Sequence, residues 1–357
     1  MPLLNLLSSV DQVATRLRSE LQSRIWTGTM PGVLRLESEL GVNRKTVEAA
    51  LRQLENEGFL MGQGPGRRRL ITKKGKRGNA SPMRVAILDY EKGVNQHLGY
   101  GVHLRHELLE AGHTVFSGTK SLVDLDMDVR RIARYVRRIS ADVWIVYSGS
   151  HDILKWFASG SKPTFAIFGQ RAGLRIASVG PDKLAAMATA TRELIALGHR
   201  RIALLCRRDR RLPQPGRTEH AFLNELAAHG ITTGEYNLPD WDDTIEGYQK
   251  MLNSLLHVTP PTALVVDEAP QLVAALQFLA SRGIRVPQNI SLVCTDPDPT
   301  FTWCQPTIAH IQWDSNPLVR RVVRWAANVS KNRLDVRQSF IPANFVTGGT
   351  IGPAPRS

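Results

Sequence analysis

Cysteine is nearly absent. The 357 residues include only Cys206, Cys294 and Cys304. That is too few for a disulfide framework, and none has zinc-binding spacing, so the chain fits a reducing compartment. No stretch approaches the roughly 20 consecutive apolar residues of a membrane helix, so no membrane partner is expected. The first 20 residues carry charges every few positions and lack the basic start and long apolar core of an export signal, so a cytoplasmic location is expected. There is no Gly-x-Ser-x-Gly elbow and no Gly-Lys-Ser/Thr phosphate loop. His97, His103 and His106 cluster in sequence, but no acidic third ligand accompanies them, so they read as surface residues. Neither a metal nor a cofactor is expected. Internal repeats and low-complexity tracts are also missing.

What is present in excess is positive charge. The formal net charge is +14 and the isoelectric point about 10.1. Residues 1–82 hold 14 Lys+Arg and 7 Asp+Glu, so a quarter of the chain carries half of that excess. Such a patch attracts a polyanion and makes its affinity salt-dependent. The length leaves room for two or three domains.

Residues 40–70 organise that basic front. Gly41 and Val42 form a tight turn, and Asn43 is a good N-cap for a helix beginning at Arg44. Val47, Ala50, Leu51 and Leu54 recur at i, i+3, i+4 and i+7, a single apolar helical stripe. Arg44, Lys45 and Thr46 sit in the first turn ahead of it. Gly58 is placed to end the helix. Residues 59–61 and 68–71 then flank a glycine-rich turn and predict a short hairpin with a basic arm. With helices expected over 6–25 and 33–40, the order is that of a winged helix-turn-helix, which sets a helix in the major groove of double-stranded DNA. The expected DNA-facing set is Arg35, Asn43, Arg44, Lys45 and Thr46, with Gln63, Arg67, Arg68 and Arg69 on the hairpin.

Residues 26–60 resemble the winged-helix domain of GntR-type bacterial transcription regulators. The resemblance rests on Gly28, Pro31-Gly32, the run from Glu39 to Arg44, Thr46-Val47, Ala50-Leu51, Leu54 and the run from Glu57 to Leu60. It departs at residues 33–38, where the family commonly has a Leu-Pro-Ser segment. The resemblance implies that Arg44 and Thr46 contact DNA and that the wing lies along the duplex.

Residues 73–82, KKGKRGNASP, read as a linker, with Lys73, Lys74, Lys76 and Arg77 available to phosphates. From residue 83 apolar strands alternate with helices, which predicts an α/β fold of two doubly wound parallel sheets in two lobes. The expected lobes are 83–177 with 309–333, and 178–308 with 334–357. A helix is expected over 181–197, with Pro181 at its first position. In such sheets ligands bind beyond the carboxyl ends of the strands. That rule selects Ser148 after one strand, Arg171 after another, the loop holding Arg217, then Asp267 and Asp296. Trp241 and Trp303 offer flat apolar faces. Carboxylates, arginine and aromatic rings together suit a polyhydroxylated ligand.

This second region resembles the effector-binding domain of LacI/GalR-type regulators, which share the fold of periplasmic sugar-binding proteins. The carrying residues are the run from Leu197 to Ala203, the run from Pro261 to Asp267, Gly283 with Val286-Pro287, the run from Ile290 to Val293 with Asp296, and the run from Pro306 to Ile308 with Gln312. By this resemblance Arg217, Asp267, Asp296 and Gln312 match effector-contacting positions. Two departures stand out. Asp267-Glu268 replaces the usual Asn-Asp, and residues 207–217 are unusually basic for a neutral sugar, which admits an anionic or phosphorylated ligand. The expected protein is a cytoplasmic, homodimeric transcription regulator, a repressor released by a carbohydrate-like effector, and not an enzyme. The competing classes are a transport solute-binding protein and an enzyme on a doubly wound fold.

Overall fold

The structure is a computed structural model that describes the chain except residues 1–8, 23–25, 27, 57, 65–66, 73–80, 93–98, 213 and 356–357. Leu6 and Ile25 of the expected first helix, Glu57, His97 and the linker cations Lys73, Lys74, Lys76 and Arg77 lie outside the described residues. The chain divides into two compact units, Met1–Ser81 and Pro82–Ser357.

The first unit contains α1 (Ser9–Gln22), α2 (Val33–Leu40), α3 (Arg44–Asn56), β1 (Leu60–Met61) and β2 (Leu70–Ile71). The stripe Val47, Ala50, Leu51 and Leu54 is fully buried and closes on Leu17 of α1 and Leu36 of α2. Gly41 ends α2 in the left-handed region at φ 66°, with its N–H on the Glu37 carbonyl, a conformation that favours glycine. Asn43 caps α3: its Oδ1 accepts the Thr46 N–H at 2.9 Å. β1 and β2 pair antiparallel with Leu60 opposite Ile71, and Thr29 bridges to Leu70.

The second unit alternates strands and helices. Its first half contains β3 (Arg84–Leu88), α4 (Gly99–Glu110), β4 (Thr114–Ser117), α5 (Val129–Arg137), β5 (Val143–Tyr147), α6 (His151–Ala158), β6 (Thr164–Ile167) and β7 (Ala177–Asp182). The second half contains α7 (Leu184–Ala196), β8 (Ile202–Leu205), α8 (Arg208–Arg211), α9 (Arg217–Ala228), α10 (Ile245–Val258), β9 (Ala263–Val266), α11 (Ala269–Ala280) and β10 (Ser291–Cys294). β11 (Ala309–Trp313), α12 (Asn316–Val329) and β12 (Gln338–Val346) close the chain. Strands such as VWIVY and ALVV are buried at every position, as parallel strands covered on both faces must be.

The strand order is β4-β3-β5-β6-β7-β12-β11-β10-β9-β8. Every neighbouring pair is parallel except β11–β12. The expectation of two doubly wound sheets is therefore corrected. The two halves form one sheet, because β12 pairs β7 through residues 338–342 and β11 through 343–346. Strand order reverses only in the first half. In the second the strands run in chain order, and Met187 of α7 and Phe222 of α9 pack on one face while Leu252 of α10 and Leu272 of α11 pack on the other.

The passages between halves also fall later than residues 177, 308 and 333. Val179, Trp313 and Ile341 lie in the first-half core, whereas Ala309 and Ile311 lie in the second. A strand that joins two cores contributes its ends to different ones. Pro181 lies in β7 opposite Ile341, not in a helix, since pairing with β12 extends the strand and α7 starts only at Leu184. Arg217 is the first residue of α9 rather than a loop residue.

Candidate functional site

In the first unit Arg44 is exposed at the start of α3. Its Nε donates to Glu48 Oε1 at 3.0 Å, which holds the Glu48 carboxyl below its usual range, and its backbone N–H meets Glu37 Oε1 at 3.1 Å. Lys45 is exposed, while the Thr46 hydroxyl is engaged with Asn43 at 3.0 Å. Glu37, Asn43, Arg44, Lys45 and Thr46 line an open concavity of about 520 Å³. Arg35 is exposed and meets Glu39 at 2.7 Å. Gln63, Arg67 and Arg68 are exposed on the hairpin. Arg69 turns back instead, to Glu55 at 2.8 Å. The pairing with Glu55 is what draws Arg69 in, so the basic arm presents two exposed cations, Arg67 and Arg68, rather than three.

In the second unit charged groups gather where the strands of both halves end. Beyond β8, Arg207 grips both oxygens of Glu268 at 2.9 and 3.0 Å, reaches Glu91 at 3.2 Å and lies 5.2 Å from the Tyr90 ring. Beyond β6, Gln170 Nε2 donates to the Asp209 carbonyl at 2.6 Å. These two bridges tie the first half to the second. Arg210 pairs with Glu219 at 3.2 Å and Asp267 at 3.7 Å. Asp267 also accepts the Thr295 hydroxyl at 2.8 Å. Burial pushes the Asp267 carboxyl up, but Arg210, Lys183 and the Thr295 hydroxyl outweigh it and hold it low. Lys183, almost fully buried, meets Asp296 at 2.7 Å, and Trp313 Nε1 donates to Asp296 at 3.0 Å. Tyr100, Phe168 and Trp313 form an aromatic wall with centroids 5.9 to 6.2 Å apart.

Two groups at this seam are less well matched. Asp209 has a buried Oδ1 without a partner among the described residues, and burial, with Asp267 and Asp243 nearby, pushes its pKa up to about 6 against the pull of Arg210. Arg171 lies over Phe340 at 5.1 Å, with its Nε buried and unpaired among the described residues. Burial and the cations Arg217 and Arg210 lower its pKa to about 10. Gly180 leaves it room: a Cβ there would stand 3.1 Å from both terminal nitrogens.

Of the residues selected from sequence, Asp267, Asp296 and Arg171 come together here. Arg217 is exposed on the same side, close enough to Arg171 to act on it electrostatically. Ser148 follows directly after β5, half-buried at φ 49°. Two selections are corrected. Trp241 is core: only 8% is exposed, Nε1 donates to the Cys206 carbonyl at 3.0 Å, and the ring packs on Tyr248. Gln312 is exposed and bonds His310 at 3.1 Å; alternation along β11 gives the seam Trp313 instead. Sequence reasoning missed Arg207, Arg210, Lys183, Glu268 and Trp313. The basic run after β8 signalled the first two, but spacing does not show which arginine turns inward. A separate cavity of about 450 Å³ lies at the opposite strand ends, beside Thr164, Ala177 and Trp325.

A family profile described as a periplasmic binding protein-like domain matches residues 191–351. An uncharacterized HTH-type transcriptional regulator in the aml 5′ region of Streptomyces limosus is 28% identical over 192 residues. That match spans 53% of this chain and 54% of the relative, so the chain covers about half of that protein's length. Among solved structures, transcription regulator CcpA of Lactococcus lactis superposes with a TM-score of 0.63 at 14% identity, over 76% of this chain and 100% of its own. A LacI family transcriptional regulator from Enterococcus faecium with bound ribose gives 0.60 at 15%, over 76% and 99%. The complex of transcriptional regulator CelR with cellobiose gives 0.60 at 19%, over 90% and 100%. At these identities the likeness is one of fold.

Proposed function

We propose that the chain is a ligand-responsive transcription regulator, acting as a repressor. Residues 1–72 are a winged helix-turn-helix of the GntR type, with α3 in the major groove led by Arg44 and Lys45, and Arg67 and Arg68 along the backbone. Residues 83–357 bind a small carbohydrate derivative at the strand-end seam. Asp267 and Asp296 accept hydrogen bonds from hydroxyls, Arg217 donates, and the wall of Tyr100, Phe168 and Trp313 covers the apolar face of a sugar ring.

The observation that carries the reading is the convergence of strand-end groups from both halves at a junction spanned by two polar bridges, Arg207 with Glu91 and Gln170 with Asp209. A ligand that replaces those bridges changes how the halves meet, and in a homodimer that change reaches the operator-binding units. The regulators of similar fold that hold ribose and cellobiose support the ligand class.

The test is a thermal-shift screen of the full chain against neutral sugars, sugar acids and sugar phosphates, followed by gel shift with the same compounds. A ligand at 100 times its Kd adds about 2.7 kcal/mol. Arg217→Ala then abolishes the ligand response and keeps DNA binding; its exposure makes it a cleaner probe than Asp296, whose loss strands Lys183. Turnover of any sugar by the pure protein sinks the proposal.

A further inference from the structure

The most concentrated charge outside the two sites described is on α5 and the residue that follows it. Residues 129–138 contain Arg130, Arg131, Arg134, Arg137, Arg138 and no acid. They supply five of the seven net positive charges of residues 83–357, so the rest of that region is close to neutral. All five arginines are exposed. Ile132, Ala133 and Val136 fix the helix to the sheet, which leaves Arg130, Arg134 and Arg137 as an outward stripe at i, i+4 and i+7, about 10 Å long.

Partners are scarce. Arg131 pairs with Asp126, and Asp128 is engaged as the helix cap. The side chains of Arg130, Arg134, Arg137 and Arg138 have no hydrogen bond, ion pair or ring contact among the described residues. By contrast, Arg16, Arg35 and Arg44 in the first unit each have a glutamate at i+4. On α5 the i+4 neighbour of Arg130 is Arg134, and that of Arg134 is Arg138, a like-charge spacing that weakens an isolated helix. The C-terminal end of the stripe lies where the chain enters the second unit: Arg84, the first residue of β3, donates to Ser140 Oγ at 3.3 Å and to Asp142 at 2.7 Å.

We propose that the arginine face of α5 is a second contact surface for the phosphate backbone of duplex DNA, engaged by sequence flanking the stretch that the N-terminal unit binds. The proposal rests on the reading of that unit as DNA-binding. Charge complementarity selects the occupant. The stripe is arginine without lysine, and the guanidinium fork matches phosphate oxygens. It offers no exposed apolar anchor of the kind that dominates a protein–protein contact, since Val129, Tyr135 and Ile139 pack inward.

The experiment uses the full chain and random-sequence duplexes of about 15 and about 60 base pairs, titrated across salt by fluorescence anisotropy. One variant combines Arg130→Gln, Arg134→Gln and Arg137→Gln. A control removes the same charge elsewhere, through Arg285→Gln, Arg320→Gln and Arg324→Gln; α12 packs on the opposite face of the sheet from α5. The α5 variant is expected to lose at least about tenfold in affinity for the long duplex, with a log–log salt slope shallower by about three. It should match wild type on the short duplex, and the control should match wild type on both. Wild-type affinity and slope for the α5 variant on the long duplex overturn the proposal. So does an equal loss in the control, which is a net-charge effect, or an equal loss on both lengths. If Arg44→Ala loses binding while the α5 variant keeps it, only this inference falls; if wild type binds no duplex, the reading of the N-terminal unit falls with it.

Discussion

The helices α2 and α3 and the strand-end seam use the same side chain in opposite ways. On α2 and α3, Arg35 and Arg44 are exposed, and the side chain of each pairs with a glutamate one turn away. At the seam Arg207 is four-fifths buried and holds acids 61 and 116 residues distant in sequence. An exposed pair contributes a few tenths of a kcal/mol and leaves the cation ready to exchange its partner for a phosphate. A buried cation must be matched by acids, and removing one partner is far costlier than the pair is stabilising. Counting arginines therefore does not distinguish a binding surface from a structural joint; exposure does.

The sharpest break of that contrast is Asp267→Ala. It leaves Arg210 with Glu219 alone and the Thr295 hydroxyl without its carboxylate, and should lower the stability of the second unit by about 3–5 kcal/mol, read as a shifted urea midpoint. A loss under about 1 kcal/mol would mean that the seam is wet enough to behave like a surface.

Asp209→Asn probes the same joint through pH. The folded pKa of Asp209 is raised to about 6 from an ordinary 3.8. Its stabilising contribution is therefore complete below pH 3.8 and is lost as pH rises through 6, by at most about 3 kcal/mol. The asparagine variant should lack that decline, matching wild type near pH 4 and exceeding it at pH 7 in thermal melts. Parallel melting curves for the two proteins across this window would remove burial as the cause.

Arg44→Ala tests the exposed side of the comparison. DNA affinity should fall by about 1–3 kcal/mol in gel shift, while thermal stability moves by less than about 0.5 kcal/mol. Unchanged affinity would take Arg44 out of the interface. The smallest effect separates two neighbours: Arg68→Ala should reduce the salt slope on any duplex by about one, whereas Arg69→Ala, tied to Glu55, should change stability and leave the slope alone. The reverse outcome would show that the hairpin turns over on DNA.

Local elements were readable from the chain because their causes are local. The stripe Val47, Ala50, Leu51 and Leu54, the cap Asn43 and the left-handed Gly41 place α2 and α3 at the bounds that spacing predicts. The short unbroken apolar runs VAIL, VWIVY and ALVV are strands. The places of Asp267 and Asp296 just beyond the ends of β9 and β10 were accessible from the apolar runs that precede them. Those of Trp241 and Gln312 were not, since a tryptophan in a loop and a glutamine in a strand carry no mark of which way they face. Pro181 misled for a related reason: the helix-start rule ignores β12, a strand 160 residues later that extends β7.

The sequence by itself determined the two-part organisation, the basic front, the helices of the first unit and the α/β alternation of the second, because periodicity, caps and composition act over a few residues. Tertiary structure alone decided that the two half-sheets share β12, that Arg207 and Arg210 turn inward while Arg130, Arg134 and Arg137 of α5 stay exposed, and that Trp313 rather than Gln312 joins the seam. Those outcomes depend on burial and on acids brought from distant segments, and desolvation forces such pairings only once the chain has closed.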